Sequence, residues 1–222
     1  MLAGRHPDLF VAGTSLSGAV DTIWAPGSVV SSASPAIDSA LPDAIYGPRV
    51  TDEVIWPGHN PQTSLGIWAV LTCRLYGQPC PWSPRTGKSI NALRLPRREW
   101  GCLPGNTNLN KTLIKLGVQH KYSAYSWGCH TPEMFQQQIT DTLPRFADVF
   151  SRNVPPPANF DYRSIEPTFN TFGWSATADP NRATEFLDLR DACSAGFTVT
   201  GSGLTRIATP PMFTGNRPVR LS

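Results

Sequence analysis

The most regular hydrophobic pattern in the chain begins at Thr131. Met134, Phe135, Ile139, Leu143 and Phe146 recur at three- and four-residue spacing, which lines them along one face of a helix turned to a core. Thr131 is placed to cap that helix, and Pro132 stands at its first position, where a missing N–H costs nothing. The helix is predicted over 131–151, with a bend at Pro144. Ahead of it, Val118–Trp127 reads as a strand and Gly128 as the turn. Further upstream, MLAGR reads as the last turn of a helix stopped by Pro7, and residues 8–18 as a strand opened by Phe10 and Val11. Residues 67–76, IWAVLTCRLY, read as a buried strand. Asn106–Leu116 reads as a helix capped by Asn or Thr and stopped by Gly117. Strands alternating with helices predict a parallel sheet and an α/β class. Residues 19–66 are a long excursion rich in Ser, Pro and Trp, with a short helix expected near Pro35–Leu41.

After residue 152 the period changes. Three consecutive prolines mark a linker over 153–159. FNTFGWSATA, TEFLDLRDA, GFTVTGSG and LTRIATPP then alternate apolar and polar residues between Gly, Asp and Pro. They predict a small antiparallel β module over 160–222. Its final GNRPVRLS reads as the start of another strand, so the module is expected to be cut short, with an open edge.

Composition narrows the class. Of the 222 residues 40% are hydrophobic and only 16% charged, with 22 prolines, as in a loop-rich globular protein with a packed core. A net charge of +3 is too small to argue for nucleic-acid binding. No apolar run approaches the roughly 18 residues of a membrane span, and no signal peptide is visible at Met1. Five cysteines, Cys73, Cys80, Cys102, Cys129 and Cys193, leave at least one unpaired. Cys73 and Cys80 could close a short loop, and Cys102 could join Cys129 in an oxidising compartment. The tight ligand spacing of a zinc site is absent, and no cofactor is implied. Arg85, Lys88, Arg94, Arg97 and Arg98 form a basic stretch, read as a solvated loop face, with contact to anionic lipid or glycan on an envelope surface as the alternative.

The residue that carries most chemistry is His130, on the loop between the last strand and the last helix. That is where α/β hydrolases hold the histidine of a Ser–acid–His triad. The acid of such a triad precedes the histidine in the chain. Glu99 is the one carboxylate between Glu53 and Glu133; as the triad acid it would accept the Nδ1–H of His130 and fix its tautomer, the alternative being a surface pair with Arg97 or Arg98. The nucleophile is missing. No G-x-S-x-G occurs, and GTSLSG at 13–18 brings its last glycine one residue late and leads into no periodic helix. Ser15 and Ser17 therefore read as strand-end residues.

GRHPDLFVAGTSLSGAVD, DAIYGPRVTDEVIWPGHNP, YSWGCHTPEMF and FDYRSIEPTFNTFGWSATADPNRATEFL together resemble the C-terminal part of an esterase family of α/β hydrolases. The likeness is to secreted actinobacterial esterases, related to the mycolyltransferases. The resemblance implies an α/β-hydrolase fold over 1–152, lacking its first strands. It matches the family's histidine to His130 and its acid to Glu99, and places the nucleophile upstream of Met1. Residues 73–98 depart from the family's Gly-, Asn- and Asp-rich pattern. The resemblance thus implies a serine ester hydrolase carrying the acid and histidine of a Ser–Glu–His triad, expected to be inactive as this chain alone. Its substrate would be a small-molecule or lipid ester, with the excursion at 19–66 shaping an acyl pocket. Ser17 and Trp56 are weak substrate-binding candidates. The parent protein would be secreted or held in the cell envelope. The alternatives are an acyltransferase of the mycolyltransferase type, or a non-catalytic protein whose Trp24, Trp56 and Trp68 and β module hold glycan or lipid.

Overall fold

Three short strands, β1 (Ala12–Ser15), β2 (Thr72–Gly77) and β3 (His120–Ala124), lie side by side and run parallel. The computed structural model describes residues 2–16, 18, 20–24, 39–63, 72–77, 102–124 and 131–212. Helix α1 (Leu2–Arg5) precedes β1, and α2 (Ile55–Gly58) lies between β1 and β2. Parallel neighbours need a crossover, and α3 (Cys102–Lys115) supplies it between β2 and β3. Helix α4 (Pro132–Ser151) follows β3. Leu109 and Leu113 of α3 are buried against Val20 and Val118, with Ala3 and Tyr122 packed beside them. A Cβ on Gly13 would stand 3.3 Å from that of Ala3, so the glycine lets α1 lie directly on β1.

Helix α3 ends as its sequence implies. Gly117 adopts φ +68°. Its N–H donates to Ile114 O at 3.1 Å, and that of Val118 to Leu113 O at 3.0 Å. This is the Schellman pair, with Leu113 and Val118 buried together beneath it. The start differs from the sequence reading: the helix opens at Cys102, not Asn106. Pro104 falls in the first turn, where helices leave their N–H groups unpaired in any case, so it does not break the helix.

Helix α4 begins as expected. Thr131 is extended (φ −90°, ψ 152°), its hydroxyl accepts from Met134 N at 3.4 Å, and Pro132 is the first helical residue. Its buried face differs from the expected one. Met134, Gln138, Thr142 and Val149 are buried, whereas Ile139 and Leu143 are 46% and 58% exposed. Phe135 and Phe146 are half-buried. Two adjacent stripes share this helix, and contact with the sheet selects the one holding two polar residues. Thr142 meets part of that cost by donating its hydroxyl to Gln138 O at 2.7 Å.

Residues 153–159 form neither helix nor strand. Beyond them the β module is two three-stranded antiparallel sheets. One has the order β4 (Phe160–Ser164), β7 (Leu187–Cys193), β8 (Gly196–Thr200), and the other β5 (Thr168–Thr171), β6 (Trp174–Ala178), β9 (Thr205–Ala208). Inward residues alternate along the strands. Phe160, Tyr162, Leu187, Leu189 and Ala192 of one sheet meet Phe169, Trp174 and Ala176 of the other in a single cluster, the pattern of a sandwich core. Phe172 and Gly173 both take positive φ, 49° and 81°, and join β5 to β6 by a two-residue turn of the type that suits strand twist. FDYRS is a strand that the pattern of the sequence does not single out, although Phe160 and Tyr162 alternate inward there. Residues 213–222, with the further strand expected in them, lie outside the described residues, as does the short helix expected near Pro35–Leu41 apart from its last residues.

Candidate functional site

Because β1, β2 and β3 are parallel, their carboxyl ends at Ser15, Gly77 and Ala124 share one edge. Ligands of open α/β sheets bind outside that edge. Ser15 is the half-buried last residue of β1. Ser17, Glu99 and His130 lie outside the described residues, as do Cys80, Cys129 and the basic stretch at 85–98. In chain order Glu99 falls three residues before α3, and His130 immediately before the cap of α4. The elements that flank both are therefore the first turn of α3 and the cap at Thr131.

The first turn of α3 is tied to the chain leaving β1. Asn106 donates its amide to Gly18 O at 2.9 Å. Gly105 sits so close that a Cβ there would stand 3.3 Å from Cβ of Asp21. Asp21 is buried. Its Oδ1 accepts from Ile23 N at 3.2 Å, Trp24 N at 3.1 Å and Asn60 Nδ2 at 3.1 Å. Its Oδ2 accepts from Asn108 Nδ2 at 3.4 Å. Asn60 in turn accepts from Gln62 N at 3.0 Å. A buried carboxylate is tolerable when its lone pairs are filled, and here they fasten the excursion after β1, the Asn60 turn and α3 to one another. Asp21→Ala should lower stability by about 3 kcal/mol, since four donors lose their acceptor. Asp21→Asn, which keeps one oxygen, should cost less. Urea unfolding of the two variants reads the difference.

At the other flank, Glu133 is one residue past Pro132. Its own backbone N–H and the Thr131 hydroxyl hold its carboxyl below the usual carboxylate range. A carboxylate in the first turn also suits the positive end of the helix.

Trp56 is 2% exposed. Its indole N–H donates to Gly47 O at 3.1 Å, Tyr46 packs edge-on at 5.2 Å, and the Arg49 guanidinium lies 5.9 Å from its ring. These contacts give Trp56 the role of an anchor for the turn at 46–49. The sequence reading missed Asp21, Asn60, Asn106 and Asn108. The signal that could have found them is the pair of asparagines two apart in a helix start, beside a lone aspartate after a strand.

Among the described residues, no group of three or more His, Cys, Asp or Glu side chains is arranged to hold a metal ion. No helix among them is long and apolar enough to cross a membrane. The one described cysteine side chain, Cys193, is a free thiol whose Sγ lies 3.6 Å from Gly196 O. Compared with models of protein families and with curated protein sequences, the chain matches none.

Proposed function

We propose that this chain carries the acid and the histidine of a serine ester hydrolase with an α/β-hydrolase fold, Glu99 and His130. The observation that carries the reading is the parallel order of β1, β2 and β3, with α3 and α4 following β2 and β3. In that order the chain segments holding Glu99 and His130 both enter helices whose N-termini follow the carboxyl edge. The bond from Asn106 to Gly18 O adds support by fastening the start of α3 to the end of β1. His130 would take the proton of a serine hydroxyl and later return it to the leaving group. Glu99 would accept the Nδ1–H and stabilise the imidazolium. The serine has no G-x-S-x-G counterpart among the 222 residues. Water would resolve the acyl-enzyme in an esterase, and a sugar hydroxyl in an acyltransferase.

The reading is tested without turnover. A His130 Nδ1 proton bonded to Glu99 should give a low-field proton resonance that disappears in Glu99→Gln. A crystal structure should place a Glu99 oxygen within about 2.6–3.2 Å of His130 Nδ1. A separation beyond roughly 10 Å would reject the pair.

A further inference from the structure

A second cluster of titratable groups lies at the junction between the α/β part and the β module. Its centre is Arg5, the last residue of α1. Its Nη2 donates to His59 Nδ1 at 3.0 Å and pairs with Glu166 Oε1 at 3.1 Å. Its backbone carbonyl accepts from the Tyr162 hydroxyl at 2.8 Å. Tyr162 belongs to β4, and Glu166 to the turn after it. Beside them, Ile165 packs so tightly onto Gly58 that a Cβ on the glycine would overlap its Cδ1. Among the described residues the module is thus seated on Arg5 and Gly58, and the proline linker joins it covalently to the α/β part.

His59 shares the Arg5 guanidinium with Glu166. A guanidinium can only donate, so Nδ1 must accept, and the ring is neutral with its proton on Nε2. Tyr46 stacks on the ring, with centroids 5.1 Å apart. We propose that His59 is a pH-sensitive latch for the β module: neutral, it anchors Arg5 for Tyr162 and Glu166, and protonated, it repels Arg5 and releases the module. Protonation fills the lone pair that Arg5 uses and sets two cations 3.0 Å apart.

Burial and the Arg5 guanidinium hold the imidazole below its ordinary value of 6.5, against the opposing pull of Glu166. Glu166 is already engaged by Arg5. Tyr162, pushed up to about 12 mainly by burial, keeps its proton throughout, and Asp8 adds only a lesser push in the same direction. An undocked His59 returns toward 6.5. Between the docked and undocked values the undocked form holds more protons, so acidification favours it. Docking is at full strength above 6.5 and is lost as pH falls toward the docked value.

The test uses the full chain in small-angle scattering at about pH 8 and about pH 5.5, with far-UV circular dichroism alongside. The radius of gyration, about 17 Å when compact, should rise by roughly a tenth or more on acidification as the linker lets the module swing, with unchanged dichroism. His59→Gln keeps an acceptor for Arg5 but cannot titrate, and should stay compact at both values. An unchanged wild-type radius, loss of the dichroism signal at acid pH, or expansion of the variant like the wild type would each overturn the latch. Ring NMR of the wild type gives a reading independent of the variant's folding. His59 should titrate below 6.5, and titration at or above that value would refute the proposal.

Discussion

The 222-residue chain should hydrolyse short-chain p-nitrophenyl esters no faster than its His130→Ala variant. The expectation comes from what a triad needs. Loss of the nucleophile costs on the order of 10⁶ in rate in Ser–His–Asp enzymes, and a histidine and carboxylate alone leave little above background. Ser15 is the only other hydroxyl with a claim from the described residues. It is the last residue of β1, half-buried, and a Cβ on Gly18 would come 2.7 Å from its Oγ. A nucleophile elbow passes from strand through a sharp turn into a helix, whereas the described residues between Leu16 and Trp24 belong to no helix. Turnover that vanished in Ser15→Ala or Ser17→Ala would show that GTSLSG is the nucleophile segment after all. The assay needs purified chain and both serine variants beside the histidine control.

How far the sequence discloses this molecule depends on which interaction decides each element. Local chemistry decided the ends of helices. The cap at Thr131 and the stop at Gly117 were legible because one side chain or one positive φ sets them. The inward face of α4 was not. Spacing alone marks Ile139 and Leu143 as equal to Met134, and only the sheet beneath the helix selects the row through Gln138 and Thr142. The start of α3 was misplaced because Pro104 and Gly105 look like loop residues. Pro104 falls where helical N–H groups go unpaired, and Gly105 is needed for the close approach of Asp21. The Asp21 network escaped notice for a related reason: its donors come from 23–24, 60 and 108, and no period in the sequence joins them. His59 was the same case. Its partner Arg5 is 54 residues away, and no spacing in the sequence joins the two. Glu99 and His130 lie outside the described residues, and the distance between them is a matter of tertiary placement that no spacing in the sequence sets.

The β module offers the largest stability effect, because its core is small and drawn from both sheets. Trp174 is 2% exposed. Its ring meets Phe160 at 6.1 Å and Phe197 at 5.2 Å, both edge-on, so it bridges β6 to β4 and β8. Truncating a buried tryptophan typically costs about 3–5 kcal/mol through lost transfer energy and the cavity left behind. The neighbouring strands can close little of that gap. Phe160 is pinned edge-on by Phe172 at 5.0 Å, and the two-residue turn at Phe172 and Gly173 fixes the register of β5 on β6. Trp174→Ala should therefore lower the unfolding free energy by that amount, read from the urea midpoint at constant slope. Leu204→Ala is the contrast, since Leu204 is 82% exposed and its loss should change stability by no more than about 0.5 kcal/mol. Equal small effects for both would mean that the two sheets do not share a core. An effect of Trp174→Ala confined to the transition of residues 160–212 would show that the module unfolds as its own unit, which its separate hydrophobic cluster leads one to expect.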